Sequence, residues 1–519
     1  MPIAISLRRM IDTIHRCMVL SLLAAAIAGC AVGPNFHRPK APTDAGYTAA
    51  PLPQTTSSSS GLGGDAQTFV MGQDVSFKWW EAFGSAAIDS LVEKSFRANP
   101  TVKSAQAALK QAQELVYAQQ GYFFPSVGAD YNFERQKVAG NLGGNDPGPQ
   151  GNGTVIQPQA PAAPVIYNMH TAELTVGFTP DVFGGNRRKV ESLEAQAQMQ
   201  RYELEATYIS LASNVVAAAI QEASTRAQLK ATEEIVDQNA KSLAILRDKL
   251  HSGFASRADL AAQELQLAQA KALLPPLQKQ FEQNRDLIRE LVGNLPNQEV
   301  EETFELDSLM LPKRLPLSLP SKIIEQRPDI RAAEENLRSA NANVGVAVAA
   351  MLPQFTITGV AGGTATQFSQ MFQSGGPFWS LIGDAAQPLF EGGTLLHTKR
   401  AADQALRQAA AQYQSTVLQA YQNVADTLHA IETDADALSA AAEAEQAART
   451  ALDLAQQRMQ TGYGDYLSEL AAEMIYAQAV LNEAQARAAR LGDSAALYQA
   501  LGGGWWNREG DYSTAAAAN

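Results

Sequence analysis

Between Asn186 and Ser252 the chain has no glycine and no proline over 67 residues, and a second such gap runs for 68 residues from Thr394 to Thr461. With no breaker inside them, both stretches are free to form single helices. Aromatic residues make up only 7% of the chain, and alanine dominates the breaker-free runs. After Cys30 no stretch supplies the roughly 20 apolar residues of a transmembrane helix. Positive charge is scarce, with 40 Lys and Arg against 53 Asp and Glu for a net charge of -13. That balance argues against a nucleic-acid partner, whose binders need a basic face. The six scattered histidines form no HExxH, and neither GxSxG nor GxxxxGK occurs. The sequence therefore carries no catalytic, metal or cofactor motif.

Cysteine is nearly absent, and the position of Cys30 gives the chain an address. Arg8, Arg9 and Arg16 precede the apolar run "MVLSLLAAAIAGC", which is too short to span a bilayer. Its end, Ile27-Ala28-Gly29-Cys30, resembles the bacterial lipobox, where cleavage precedes a cysteine that carries lipid such as palmitate. A plain secretory signal with an incidental cysteine is the alternative. Removal of residues 1–29 takes away Cys17, the one other cysteine, so Cys30 is left without an internal disulfide partner. Alanine rather than aspartate after Cys30 favours outer-membrane sorting. Met10, taken as the start, leaves the same cleavage site.

The chain reads as a duplication. "NPTVKSAQAALKQAQELVYAQQGYFFPSVG" aligns with "RPDIRAAEENLRSANANVGVAVAAMLPQFT", placing Pro100 on Pro328, Leu109 on Leu337, Val116 on Val344 and Pro125 on Pro353. The junctions "DVFGGNRRK" and "PLFEGGTLLHTKR" then correspond, Gly184-Gly185 on Gly392-Gly393. A Gly/Pro/Asn-rich loop, "NLGGNDPGPQGNGTVIQPQAPAAP", absorbs the difference in length. Farther on, "GFASRADLAAQE" matches "GYGDYLSELAAE" with one gap. Each half reads helix, strand, loop, strand, very long helix, tip, helix.

The strands alternate. Val127, Ala129, Tyr131 and Phe133 face one way, with Asp130, Asn132 and Glu134 facing the other; Leu174, Val176 and Phe178 likewise oppose Glu173, Thr175 and Thr179. A sheet packed on a soluble core shows the same alternation. Strands of about ten residues behind a lipobox point instead to an outer-membrane barrel with a polar lumen. Four strands per chain cannot close one, and two chains give an eight-stranded barrel filled by side chains. Three chains give twelve strands, hence a trimer with a duct. The helices project from the membrane, since 67 residues make a rod of about 100 Å. Val417, Tyr421, Val424, Leu428, Ile431, Ala435, Leu438 and Ala442 form a coiled-coil seam, and Leu260, Leu267, Leu274, Phe281 and Ile288 recur every seven on the partner helix. Pro275-Pro276 is expected to kink that helix rather than end it. An isolated antiparallel coiled coil is the alternative reading of the seams alone.

Taken together, the lipobox, "WWEAFGSAAIDSLVEKSFRANP", the two Gly-Gly junctions, "RPDIRAAE" and "TGYGDYLSEL" resemble the outer-membrane factors of the TolC family, in the lipoprotein, NodT/OprM-like branch. The resemblance implies an α+β membrane protein, a homotrimer with a shared twelve-stranded outer-membrane barrel and a long periplasmic helical coiled-coil barrel. It also implies a non-enzymatic, passive exit duct for drugs or other small molecules. A periplasmic adaptor (membrane-fusion) protein and an inner-membrane pump of the resistance-nodulation-division type are the implied partners. One-step (type I) protein secretion is the alternative use of such a duct.

The expected layout follows. Residues 1–29 are the signal peptide and 30–75 a lipid-anchored extended tether. The first repeat, 76–292, has strands near 126–137 and 170–183 and long helices near 186–252 and 257–292. An equatorial segment spans 293–328. The second repeat, 329–501, has strands near 353–361 and 378–390 and long helices near 394–460 and 466–500, before a flexible tail, 502–519. Cys30 is the lipidation site, and Gly184, Gly185, Gly392 and Gly393 are the strand-to-helix junctions. The helical tips carry Gly253, Asp259 and Gly462, which the resemblance makes adaptor-docking positions. It also makes Asp465 and Glu469 the constricting acids, with Arg257 and Tyr463 as inter-helix partners of the closed state. Ala471 stands where efflux relatives often carry an aspartate.

Overall fold

In the computed structural model, described for residues 31–40, 46–138, 165–464 and 466–508, both breaker-free stretches are single helices. In chain order the elements are β1 (Thr68–Met71), α1 (Ala86–Ala98), α2 (Pro100–Gln120), β2 (Ser126–Val138), β3 (Val165–Phe178), α3 (Gly185–His251) and α4 (Arg257–Leu291). There follow β4 (Arg314–Leu317), α5 (Pro320–Gln326), α6 (Pro328–Ala349), β5 (Gln354–Ala365), β6 (Pro377–Ala386), α7 (Thr394–Gln460) and α8 (Tyr466–Ala500). Helices α3 and α7 each have 67 residues, which is about 100 Å of helix at 1.5 Å per residue. Among the described residues, no helix is long and apolar enough to cross a membrane. The helix α4 continues through Pro275 and Pro276.

Two strand bounds differ from expectation for one physical reason. The strand expected at 170–183 is β3, which starts at Val165 and stops at Phe178; the strand expected at 378–390 is β6, which stops at Ala386. Pro180 and Pro388 stand just beyond those ends, and proline cannot donate to a ladder. The strand expected at 353–361 continues to Ala365 as β5.

The chain divides into two compact units, the first drawn from residues 1–36, 113–195 and 338–408. Its core element is an antiparallel sheet of order β2-β3-β5-β6. Next to it, the N-terminal segment is strapped to the start of α3. Val32 donates to the Phe183 carbonyl at 3.0 Å. Arg188, 5% exposed, donates to the Val32 carbonyl at 3.0 Å and to Asn35 Oδ1 at 2.8 Å, and pairs with Glu191 at 2.8 Å.

The second unit comprises residues 37–112, 196–337 and 409–519. Its core is aromatic where the chain is otherwise poor in rings: Trp79 stacks on Tyr498 at 5.2 Å, and Phe96 meets Tyr208 edge-on at 5.0 Å. Along α7, Val417, Val424, Leu428, Ile431, Ala435 and Leu438 are buried as one stripe. On α4 the expected stripe is displaced: Ile288 is buried, but Leu260, Leu267, Leu274 and Phe281 are only half-buried, and Gln263, Gln266 and Ala270 turn inward instead. Gln263 can be buried because its amide donates to Asn239 O and Oδ1 at 3.0 and 3.1 Å.

Both chain ends expected to be loose are packed where they are described. The expected 30–75 tether contains β1, paired in parallel with β4. Gln67, fully buried, donates to Pro312 O at 3.0 Å and Ser494 Oγ at 2.9 Å. Buried Arg490 holds the same segment through Gly63 O at 2.9 Å and Asp65 O at 2.8 Å. The expected 502–519 tail begins with buried Gly502, Gly503 and Gly504 and a 3-10 turn, Trp505–Asn507. Trp505 Nε1 donates to Gln326 O at 2.6 Å, while Arg508 pairs with Glu205 and lies over the rings of Phe77 and Tyr208.

Candidate functional site

The sheet sorts its side chains. Directly opposed residues of antiparallel strands share a face, so the register can be followed across all four strands. One face carries Val127, Ala129, Tyr131 and Phe133 of β2, Leu174, Val176 and Phe178 of β3, Ile357 and Ala361 of β5, and Trp379 and Leu381 of β6. It is apolar yet open: Val127 is 68% exposed, Trp379 80% and Leu381 70%. The opposite face carries Asp130, Asn132 and Glu134, then Thr171, Glu173 and Thr175, then Thr358 and Thr364, then Ser380 and Asp384. Val360, Phe378 and Ile382 interrupt its polarity, which is why the second hairpin alternates less cleanly in sequence. Asp130 stands directly opposite Glu173, a like-charge pair that costs stability unless water or cations reach it. Within the described residues β2 pairs only with β3, and β6 only with β5, so two edges offer unpaired backbone groups.

Each hairpin leaves the sheet through a Gly-Gly pair, but the two pairs are not alike. Gly184 has φ +75°, and a Cβ there would lie 2.5 Å from Ala31 Cα, so glycine is required twice over. Gly185 is already helical, the first residue of α3. Asp181 prepares that start: its carboxylate accepts from the Asn186 and Arg187 amides, both at 2.9 Å, satisfying donors that a helix N-terminus leaves free. In the second junction both Gly392 and Gly393 have positive φ, +61° and +90°.

At the far ends of the long helices, the two tips close by the same device. Gly253 has φ +80° and Gly462 φ +77°, and the following amides reach back: Phe254 to Lys249 O at 2.8 Å and Tyr463 to Arg458 O at 3.0 Å. Asp259 is tied into a capping box with Ser256, with both bonds formed at 2.9 and 3.1 Å. Those bonds hold its carboxyl below the usual range. Arg257 opens α4 and is exposed, and Tyr463 is 91% exposed. Asp465 lies outside the described residues, as does Cys30. Glu469 sits in the first turn of α8 and lines a cavity of about 400 Å³ with Lys249, Leu246 and Met459. Its carboxyl is raised by burial, against the lowering charge of Lys249. The single chain thus sets Glu469 near Lys249.

Sequence reasoning passed over Glu473, one turn beyond Glu469 on α8. It lines a second cavity of about 160 Å³ with Glu234, Asn239 and Tyr476. Burial, reinforced by Glu469, pushes its carboxyl up to about 7. The available signal was the i, i+4 spacing of the two glutamates. Because the folded chain keeps this proton to higher pH than the unfolded one, the group removes stability as pH rises from about 4.5 to about 7. Glu473→Gln is expected to raise the unfolding midpoint by a few degrees at pH 7.5 and hardly at all at pH 4.5. Thermal melts at the two pH values check this, and an equal shift at both contradicts it.

The sequence of this chain fits the family model described as outer membrane efflux protein over residues 91–294 and 319–503. The chain belongs to that family, whose members are outer-membrane channel proteins rather than enzymes. It is 28% identical over 429 residues to the pyoverdine export outer membrane protein OpmQ of Pseudomonas putida, covering 82% of this chain and 88% of that one. It is 27% identical over 498 residues to the toluene efflux pump outer membrane protein TtgC of the same species, covering 95% and 96%. Among solved structures, the outer-membrane channel OprN superposes with a TM-score of 0.78 at 26% identity, covering 92% of this chain and all of that one. The fold is that of the TolC-like outer-membrane channels.

Proposed function

We propose that three copies of this chain close into a twelve-stranded outer-membrane barrel continued by a periplasmic helical tunnel, the exit duct of a tripartite efflux system. The sorted sheet carries this reading. An apolar face that stays exposed suits lipid, an acidic face suits water, and two open edges must be paired before the sheet can sit in a membrane. The internal duplication is supported by equal lengths, 67 residues in both α3 and α7 and 35 in both α4 and α8. A periplasmic adaptor and an energised inner-membrane pump, of the resistance-nodulation-division type, deliver the cargo. Relatives named for export of pyoverdine and toluene support small molecules as that cargo. Export tests the reading: a strain lacking its own exit duct should regain solvent and antibiotic tolerance when this chain is supplied with its pump and adaptor. Correctly assembled protein that restores nothing contradicts it.

Cys30 is the lipid anchor in this reading. Cys30→Ala should abolish incorporation of labelled palmitate while leaving insertion of the barrel, since the strands supply their own membrane affinity. Persistent labelling of the variant contradicts the assignment. The helical tips are the gate and the docking surface, with Asp465 and Glu469 as the constricting acids and Arg257 and Tyr463 as inter-helix partners that hold the closed state. Substituting Arg257 and Tyr463 by alanine should raise resting conductance several-fold in planar bilayers, and unchanged conductance puts the gate elsewhere.

A further inference from the structure

The charges of the four strands are sorted by sign as well as by face. Every acid in them, Asp130, Glu134, Glu173 and Asp384, lies on the polar face. Both Arg and Lys residues of the strands, Arg135 and Lys137, lie on the other face, continuing the line Val127, Ala129, Tyr131, Phe133 toward the hairpin end of the sheet. They are exposed and, among the described residues, not ion-paired; Arg135 Nη1 lies 3.5 Å from Asn168 Oδ1. Just below them is an aromatic cluster on the same face. Tyr131 Oη is hydrogen-bonded to His170 Nδ1 at 2.8 Å, Phe133 lies 4.9 Å from the His170 ring, and Phe368 meets Tyr131 edge-on at 5.9 Å.

We infer that Arg135 and Lys137 form a binding surface for anionic lipid headgroups at the leaflet next to the hairpins. The inference rests on reading the apolar face as lipid-facing. Basic residues on such a face are costly at the midplane and nearly free at the interface. Their long side chains reach outward past the ring cluster to the phosphates. An aromatic girdle marks that depth in barrels, where rings sit with one edge wet. Charge complementarity selects the occupant: two cations two residues apart, with all four acids turned to the other face, favour a net-negative headgroup over a zwitterionic one. A duct wall that prefers cations inside and anionic lipid outside needs this arrangement, because mixed signs on either face would weaken both preferences.

The test uses the full-length protein in vesicles of phosphatidylglycerol and phosphatidylcholine, with the lipid retained on the extracted assembly counted by native mass spectrometry. The wild type should retain phosphatidylglycerol in preference to phosphatidylcholine, and R135Q/K137Q should lower that preference on the order of tenfold. High salt should lower it in the wild type and not in the variant. No preference in the wild type, or an undiminished preference in the variant, overturns the proposal. A nitroxide lipid quenching a dye placed at Leu381→Cys reads the face separately. Quenching with no headgroup preference defeats the headgroup site alone, whereas absence of quenching defeats the lipid-facing reading beneath it.

Discussion

Leu381→Arg is expected to abolish assembly in the membrane, while Ser380→Arg, its immediate neighbour, is expected to leave the assembly intact. Leu381 is opposed to Gly359 on the apolar face, well inside β6, whereas Ser380 is opposed to Val360 on the face that carries the acids. An arginine on the lipid side near the bilayer midplane costs about 2–4 kcal/mol. In the proposed trimer the cost recurs three times, about 6–12 kcal/mol in all, which is comparable with the whole stability of a folded domain, about 5–15 kcal/mol. At position 380 the same side chain would meet water on the proposed lumen side. Membrane fractionation followed by sedimentation in detergent reads both variants. Equal survival of the two, or selective loss of Ser380→Arg, contradicts the assignment of the faces.

The second large effect concerns selectivity. Asp130 and Glu173 face one another across β2 and β3, and the proposed trimer would turn that pair into a ring of like charge around a common axis. Rings of carboxylates attract cations and repel anions at the distances of a pore wall. Asp130→Asn with Glu173→Gln should therefore lower cation over anion permeability several-fold, read as a reversal potential that moves toward zero in a salt gradient. The change should also relieve the cross-strand repulsion and raise thermal stability slightly. A reversal potential that stays at the wild-type value assigns selectivity to another ring, with Glu134 and Asp384 the remaining strand acids.

Much of this was legible in the sequence for simple reasons. Long helices announce themselves by what they exclude, and α7 and α8 occupy the expected spans, Thr394–Gln460 and Tyr466–Ala500. Period-two alternation in "SVGADYNFERQ" identified both faces of β2 before any register was known. Strand ends were less legible because apolar residues continue past them: Val182 and Phe183, like Leu389 and Phe390, extend the pattern beyond Pro180 and Pro388, which end the ladder. The ends of the chain misled for a different reason. Residues 46–75 are rich in Pro, Ser and Gly, and 502–508 begin with three glycines, yet these segments are held by distant partners, Ser494 and Arg490 for one and Gln326 and Glu205 for the other. Composition cannot reveal a partner hundreds of positions away. The same holds for Glu473, whose raised carboxyl comes from a cavity built by α3, α7 and α8 together.

Single-channel recording on the purified, sedimentation-sized protein tests the central claim most directly. The account predicts a particle of three chains that inserts into a planar bilayer and conducts with a preference for cations. A conducting monomer, or a trimer that inserts and passes no current under conditions that open the helical tips, contradicts it.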